Sequence, residues 1–366
     1  MSDAPTPPRV VRGACHACFA FEVGLSVDLA QAERRLAAEE RRLVARAPRL
    51  RAQVAVQAGR VRLPVDPAGF TVAGIAASAV EVLLWEFGAA SVNVAFPLEG
   101  PLEAAVPLSA ALVEAGPLAE AARQRLEDVV ARLGDAVQKP AVAGPVEDYL
   151  VLHVEALDPP CDPARFLLEH GELAARLLRS EPGHLSADEI ADALASRLSF
   201  GPADLALVDW NAALVLDPDG DDARQVLEFA NVQLQQLRFL DVQLDQALER
   251  AWDALTRPRG WSLLPSVDAG VAQVARLQAE QAWLFERITN ALKLVGDQYL
   301  GRLHRLVAAR LHMAEWDASI ARKLETLDGI YQKLADRAAQ RRAEVLEWII
   351  IVLIAAEMVM SVVRRG

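Results

Sequence analysis

The carboxyl-terminal end constrains this chain most. Residues 348–363 read WIIIVLIAAEMVMSVV, after which Arg364, Arg365 and Gly366 close the sequence. An apolar run of that length with a single charge exceeds most core helices of globular domains. At helical rise it measures roughly 24 Å against a hydrocarbon core of ~30 Å, and Val345 and Leu346 close most of the gap. Trp348 suits the headgroup interface, and Arg341 and Arg342 before it and Arg364 and Arg365 after it can snorkel to either side. The expectation is one carboxyl-terminal transmembrane helix over residues 345–363. Roughly 340 residues precede it, and the opening MSDAPTPPRVVRG has three prolines and no apolar core of signal-peptide length. The short end is therefore expected to cross, with the bulk of the chain on the cytoplasmic side.

Glu357 is the anomaly, because a carboxylate inside a span costs about 2.5 to 3.5 kcal/mol. Ile350, Leu353, Ile354, Glu357 and Ser361 share one helical face, so Ser361, one turn on, is placed to hydrogen-bond it. A tolerated neutral acid, a buried contact between protomers and an ion or proton path all remain open at this point. Trp348, Glu357 and Ser361 are the residues expected to serve membrane and oligomer contacts.

Composition narrows the rest. The chain has 366 residues, 53% of them hydrophobic and 24% charged, which provides for sizeable cores and excludes global disorder. Fifty acidic against 38 basic residues give a net charge of −12, which argues against a general polyanion binder, so no direct nucleic-acid contact is expected. Cys15, Cys18 and Cys161 are too few for a disulfide framework and point to a reducing compartment.

Strand signals appear at residues 14–23, 59–65, 80–87 and 91–96, the last two joined by Gly88, Ala89 and Ala90 at hairpin spacing. Helical signals cover residues 28–47, most of 108–137, 162–179 and 186–198, the last opening with Ser186 and Glu189 as a capping box. Residues 146–156 and 206–216 read as further strands. Strands interspersed with helices, with at least one hairpin, predict an α+β domain.

After the turn Asp217-Pro218-Asp219-Gly220 the period changes. Leu227, Ala230, Leu234, Leu237, Leu244, Leu248, Ala251 and Leu255 form a heptad seam interrupted by Asp241. A second amphipathic stretch covers about 268–295, and a third places Ile320, Leu324, Leu327, Tyr331, Leu334 and Ala338 at the same spacing. The expected plan is a flexible arm at 1–12, an α+β domain at 13–217, a long-helix, coiled-coil-like domain at 218–344 and the transmembrane helix.

Candidate chemistry is sparse. Cys15-His16-Ala17-Cys18 is a CxxC, but in a strand its two thiols point to opposite faces, and no second ligand pair exists for zinc. His304 and His312 lie two turns apart near Glu315, half a metal site at most. Residues 217–228 carry acids at positions 1, 3, 5 and 12 of a calcium loop, yet Asp222 stands where the sharp turn needs glycine. Asp209-Trp210-Asn211 interrupts an apolar strand, with a sheet-end or capping role as the default and a catalytic site as the rival. No GxSxG, P-loop or strand-linked GxGxxG occurs. No catalytic, cofactor-binding or metal residue is assigned, and no cofactor is expected.

Several motifs carry a resemblance. The opening RVVRGACHACFAF, the hairpin LLWEFGAASVNVAFPL, the strand VEDYLVLHVEAL and the long helix running through LEWIIIVLIAAE resemble the required-for-meiotic-nuclear-division family, also called domain of unknown function 155. The resemblance covers nearly the whole chain and implies a membrane-anchored, oligomeric protein without an established reaction, with mitochondrial relatives linked to translation of organelle-encoded proteins. Alanine- and arginine-rich composition moves the expected location to a bacterial inner membrane. The expectation from these readings is a membrane-anchored homo-oligomeric scaffold in contact with lipid, the alternatives being an enzyme or an ion path around Glu357.

Overall fold

The computed structural model describes residues 8–46, 55–57, 60–113, 116–256, 275–279 and 298–363. It divides into two units, Met1–Phe239 with Leu284–Trp316, and Leu240–Trp283 with Asp317–Gly366. Residues 1–7 of the expected arm and almost all of the amphipathic stretch at 268–295 lie outside the described residues.

The first unit opens with β1 (Arg9–Glu22), β2 (Ser26–Val27) and α1 (Leu29–Arg46). Short strands β3 (Ala55–Gln57), β4 (Arg60–Val65), β5 (Thr71–Val72) and β6 (Ile75–Ala76) lead to the hairpin β7 (Ala79–Trp85) and β8 (Ala89–Pro97). Next come β9 (Gly100–Pro101), α2 (Ala105–Val113), α3 (Gly116–Leu133), β10 (Val137–Gln138) and β11 (Ala143–Asp158). Helices α4 (Pro163–Arg179) and α5 (Ala187–Ala193) precede β12 (Arg197–Leu198), β13 (Leu205–Val208) and β14 (Ala212–Leu216). The helices α6 (Asp221–Thr256), α7 (Gln298–Arg310) and α8 (Met313–Val363) follow.

One ten-stranded sheet dominates, ordered β12-β13-β14-β11-β1-β8-β7-β4-β3, with β9 also paired to β1. The β11–β14 pair is parallel and the other pairs are antiparallel, so the sheet is mixed. Alternation along β1 decides which residue serves which face. Cys15, Ala17, Phe19 and Phe21 enter a core shared with α1 to α4. Ala20 packs instead with Phe229 and Val232 of α6. Helices thus cover both faces of the sheet within this unit.

That arrangement corrects the expected α+β class with a coiled-coil-like domain. The fold is mixed α/β, and the first half of the α6 heptad seam packs on the sheet instead of on a partner helix of a coiled coil. Its residues Leu227, Ala230 and Leu234 rest on Tyr149, Val151 and Ala213 of the sheet, beside Leu303 and Val307 of α7. Apolar period reports only that one face is covered, and a sheet covers it as well as a helix does.

The expected transmembrane helix is corrected too. Among the described residues no single helix is long and apolar enough to cross a membrane. Residues 348–356, between Glu347 and Glu357, are nine residues or roughly 14 Å of helix, about half the ~30 Å needed.

Two local differences matter for the site. The strand expected over 206–216 is a hairpin, closed by the Asp209 N–H donating to the Ala212 carbonyl at 2.8 Å. The helix expected over 186–198 stops at Ala193. Ser186 caps it as foreseen, its hydroxyl accepting from the Glu189 N–H at 3.2 Å.

Candidate functional site

A polar seam crosses the sheet face under α6. Arg224 and Glu228 sit one turn apart on α6 with side chains 4% and 1% exposed, and Arg224 Nη1 donates to Glu228 Oε2 at 3.1 Å. Arg224 Nε and Nη2 donate to Asp221 Oδ1 at 2.9 and 2.6 Å, and the Ser91 hydroxyl donates to Glu228 Oε1 at 2.7 Å. Burial works against the Arg224 charge, but the Glu228 and Asp221 carboxylates outweigh it and hold the guanidinium above its ordinary pKa. Asn231 Nδ2 donates to the carbonyls of Cys18 and Glu147 at 3.3 and 3.0 Å. The Glu147 carbonyl lies beside the point where the β1–β11 register shifts, so the amide satisfies a backbone group there. This seam is charge-compensated and anchors α6.

The thiols and imidazoles are dispersed. Cys15 and Cys18 are both fully buried, and burial pushes the Cys15 thiol up to about 12 and the Cys18 thiol well above its usual range. Both are therefore protonated and poor nucleophiles. His16 faces Asn93, its Nδ1 3.1 Å from Oδ1, and burial, with Arg224 nearby, lowers it to about 3. His304 is buried against α6, its Nε2 2.6 Å from Gln233 Oε1, whereas His312 is exposed beyond the end of α7 and 3.2 Å from Glu315. They do not converge, and no group of three metal-ligating side chains occurs among the described residues. The acidic turn before α6 is an Asx turn, Asp217 Oδ1 accepting from the Asp219 N–H at 2.9 Å. Gly220 is needed there for close approach, since a Cβ would lie 2.6 Å from His153 Nε2.

The Asp209 hairpin turn gathers the most charge. Asp209 is completely buried, and its carboxylate meets Arg310 of α7 and Arg179 at the end of α4. Both arginines also reach Asp192 of α5. Tyr149 donates its hydroxyl to the Asp209 carbonyl at 2.9 Å. Asn211 is half-buried and Trp210 exposed. The sequence singles out Asp209 as a polar residue in an apolar run, but Arg179, Asp192 and Arg310 come from three separate helices, and no spacing links them. The enzyme candidates Cys15, Cys18, Asp209 and Asn211 are not assembled around one reacting position. Cys15 and Cys18 serve opposite faces of β1, and Asp209 is consumed by its arginines.

Of the expected membrane and oligomer residues, Trp348 and Glu357 are exposed on α8, and the side chain of Ser361 lies outside the described residues, as do those of Arg341, Arg342, Arg364 and Arg365. The apolar side chains around Trp348 are exposed with it. Leu346, Trp348, Leu353 and Met358 are each at least 60% accessible, and the six consecutive residues 349–354 are all exposed.

The family described as "Uncharacterized protein MJ0711, N-terminal domain" matches residues 12–223, from inside β1 through β14 to the first three residues of α6. The "Uncharacterized protein MJ0711" of Methanocaldococcus jannaschii is 24% identical over 207 residues, 56% of this chain and 63% of that protein. The chain thus spans less than two thirds of the relative's length. No solved structure matches. Arg179, Asp192 and Asp209 fall within the matched region while Arg310, Trp348 and Glu357 fall beyond it, and by that match the chain belongs to the family of the uncharacterized MJ0711 N-terminal domain.

Proposed function

We propose that the protein is a non-catalytic, membrane-associated scaffold that acts as a homo-oligomer on the cytoplasmic face of a bacterial inner membrane. The observation that carries this reading is the bare apolar end of α8. Residues 349–354 are exposed in succession, and at about 100° per residue they occupy every side of the helix. A helix apolar all round is stable only where something surrounds it, and a patch of this kind on an isolated chain marks an interaction site. A lipid surface and neighbouring copies together supply that cover, with Trp348 at the polar boundary. The wider resemblance to the required-for-meiotic-nuclear-division family supports the same reading, since that family is membrane-associated and oligomeric.

The test is flotation of the purified full chain with phosphatidylcholine–phosphatidylglycerol vesicles, together with its oligomeric state in detergent. The chain should float and sediment as an oligomer. Ile350→Asp with Leu353→Asp should leave it in the bottom fraction with an unchanged circular dichroism spectrum of the sheet unit. A wild-type chain that stays at the bottom and is monomeric at all concentrations would overturn the proposal.

A further inference from the structure

Arg179 and Arg310 hold two carboxylates of opposite character. On the inner side Asp209, with no exposed surface, accepts Arg310 Nε and Nη2 on Oδ1 at 2.9 and 2.6 Å, while its Oδ2 lies 3.0 Å from Arg179 Nε. On the outer side Asp192 accepts Arg310 Nη2 on Oδ2 at 2.6 Å and Nη1 on Oδ1 at 3.3 Å, and Arg179 Nη2 also on Oδ2. The arginine side chains are 15% and 18% exposed, that of Asp192 is 53% exposed, and Glu189 lies 3.5 Å from Arg179.

The two sides are not equivalent. Asp209 is locked into the β13–β14 turn, holds the Arg310 guanidinium by two hydrogen bonds and faces Arg179 as a buried counter-charge. Asp192 belongs to α5, a seven-residue helix whose Asp188, Glu189 and Asp192 are all exposed and whose one buried residue is Ala193. Lifting α5 would leave two guanidinium charges against one buried carboxylate. Three N–H groups that now converge on a single carboxylate would then lack acceptors. Convergent N–H groups of two neighbouring guanidinium groups are the geometry that recognises an oxyanion.

We propose that Arg179 and Arg310 form an oxyanion site whose resting occupant is the chain's own Asp192, and that a phosphate or carboxylate group of a ligand replaces it when α5 lifts. Asp209 is the positioning residue. The site does not depend on the membrane reading, because none of its residues lies in the apolar end of α8.

The test uses the full chain and isothermal titration at constant ionic strength, with inorganic phosphate and with succinate as separate probes. Asp192→Asn removes the internal competitor at an exposed position and should bind one of the two probes at least tenfold more tightly than the wild type. Phosphate tightening alone assigns a phosphate ligand, and succinate tightening alone a carboxylate. Adding Arg310→Gln, or Arg179→Gln should the first variant fail to fold, should abolish the gain. Equal affinities of wild type and Asp192→Asn for both probes would overturn the proposal. So would a gain that survives loss of either arginine.

Discussion

His16 and His304 are residues whose chemistry is set by where the fold puts them. Burial holds both imidazoles neutral, lowering His16 to about 3, with Arg224 adding to the effect, and His304 to about 4. The unfolded chain titrates them near pH 6.5, so below that value the unfolded state takes up protons the folded state refuses. Each histidine therefore removes stability as pH falls, by about 1.4 kcal/mol per pH unit until its folded pKa is approached. Glu147 acts in the opposite sense. Burial, only partly offset by Arg238, raises it to about 7, so its contribution is present at low pH and is lost as pH rises through that value. His304→Gln keeps an amide donor for Gln233 and removes one titration. Urea unfolding between about pH 6 and pH 5 should lose stability less steeply in the variant, by about 1.4 kcal/mol per pH unit. Parallel profiles for variant and wild type would show that His304 is not held neutral.

At the scale of the element, α6 shows what periodicity conveys and what it hides. Its existence, start and apolar face are legible from Leu227, Ala230 and Leu234, and the β7–β8 hairpin is legible from Gly88, whose φ of +85° suits the turn and where a Cβ would collide with the Gly24 carbonyl. What covers the helix is not legible, because a heptad seam reads the same against a sheet. Nor are Arg224 and Glu228, which look like a solvated i, i+4 pair and are instead sealed under the sheet. The Asp209 turn is hidden for a related reason: with no glycine or proline between Val208 and Ala212, the apolar run passes for one strand. Removing one partner of a buried pair strands the other charge, whereas removing both does not. Arg224→Met alone should destabilise by about 3 to 5 kcal/mol in chemical denaturation, and Arg224→Met with Glu228→Leu should recover most of that loss. A double variant no more stable than the single one would mean that the seam contributes more than charge compensation.

For the whole molecule the question is how the end of α8 engages its surroundings. The sequence makes the apolar run plain, but its meaning depends on length and on the two carboxylates at Glu347 and Glu357, which hydrophobicity alone does not weigh. Lipid contact is indifferent to rotation of the helix about its axis, because residues 349–354 are exposed on every side. Contact between copies is not, because one face must meet another. A single alanine inserted after Glu344 rotates everything beyond it by about 100° and advances it by about 1.5 Å. Seven inserted residues return the phase to within about 20°. If copies pack through a defined face that includes Glu357, the single insertion should lower the oligomer population in crosslinking while vesicle flotation stays unchanged, and the seven-residue insertion should restore assembly. Equal crosslinking for the two insertions would separate the parts of the reading: the end of α8 would then be a seat in lipid only, with assembly made elsewhere in the chain.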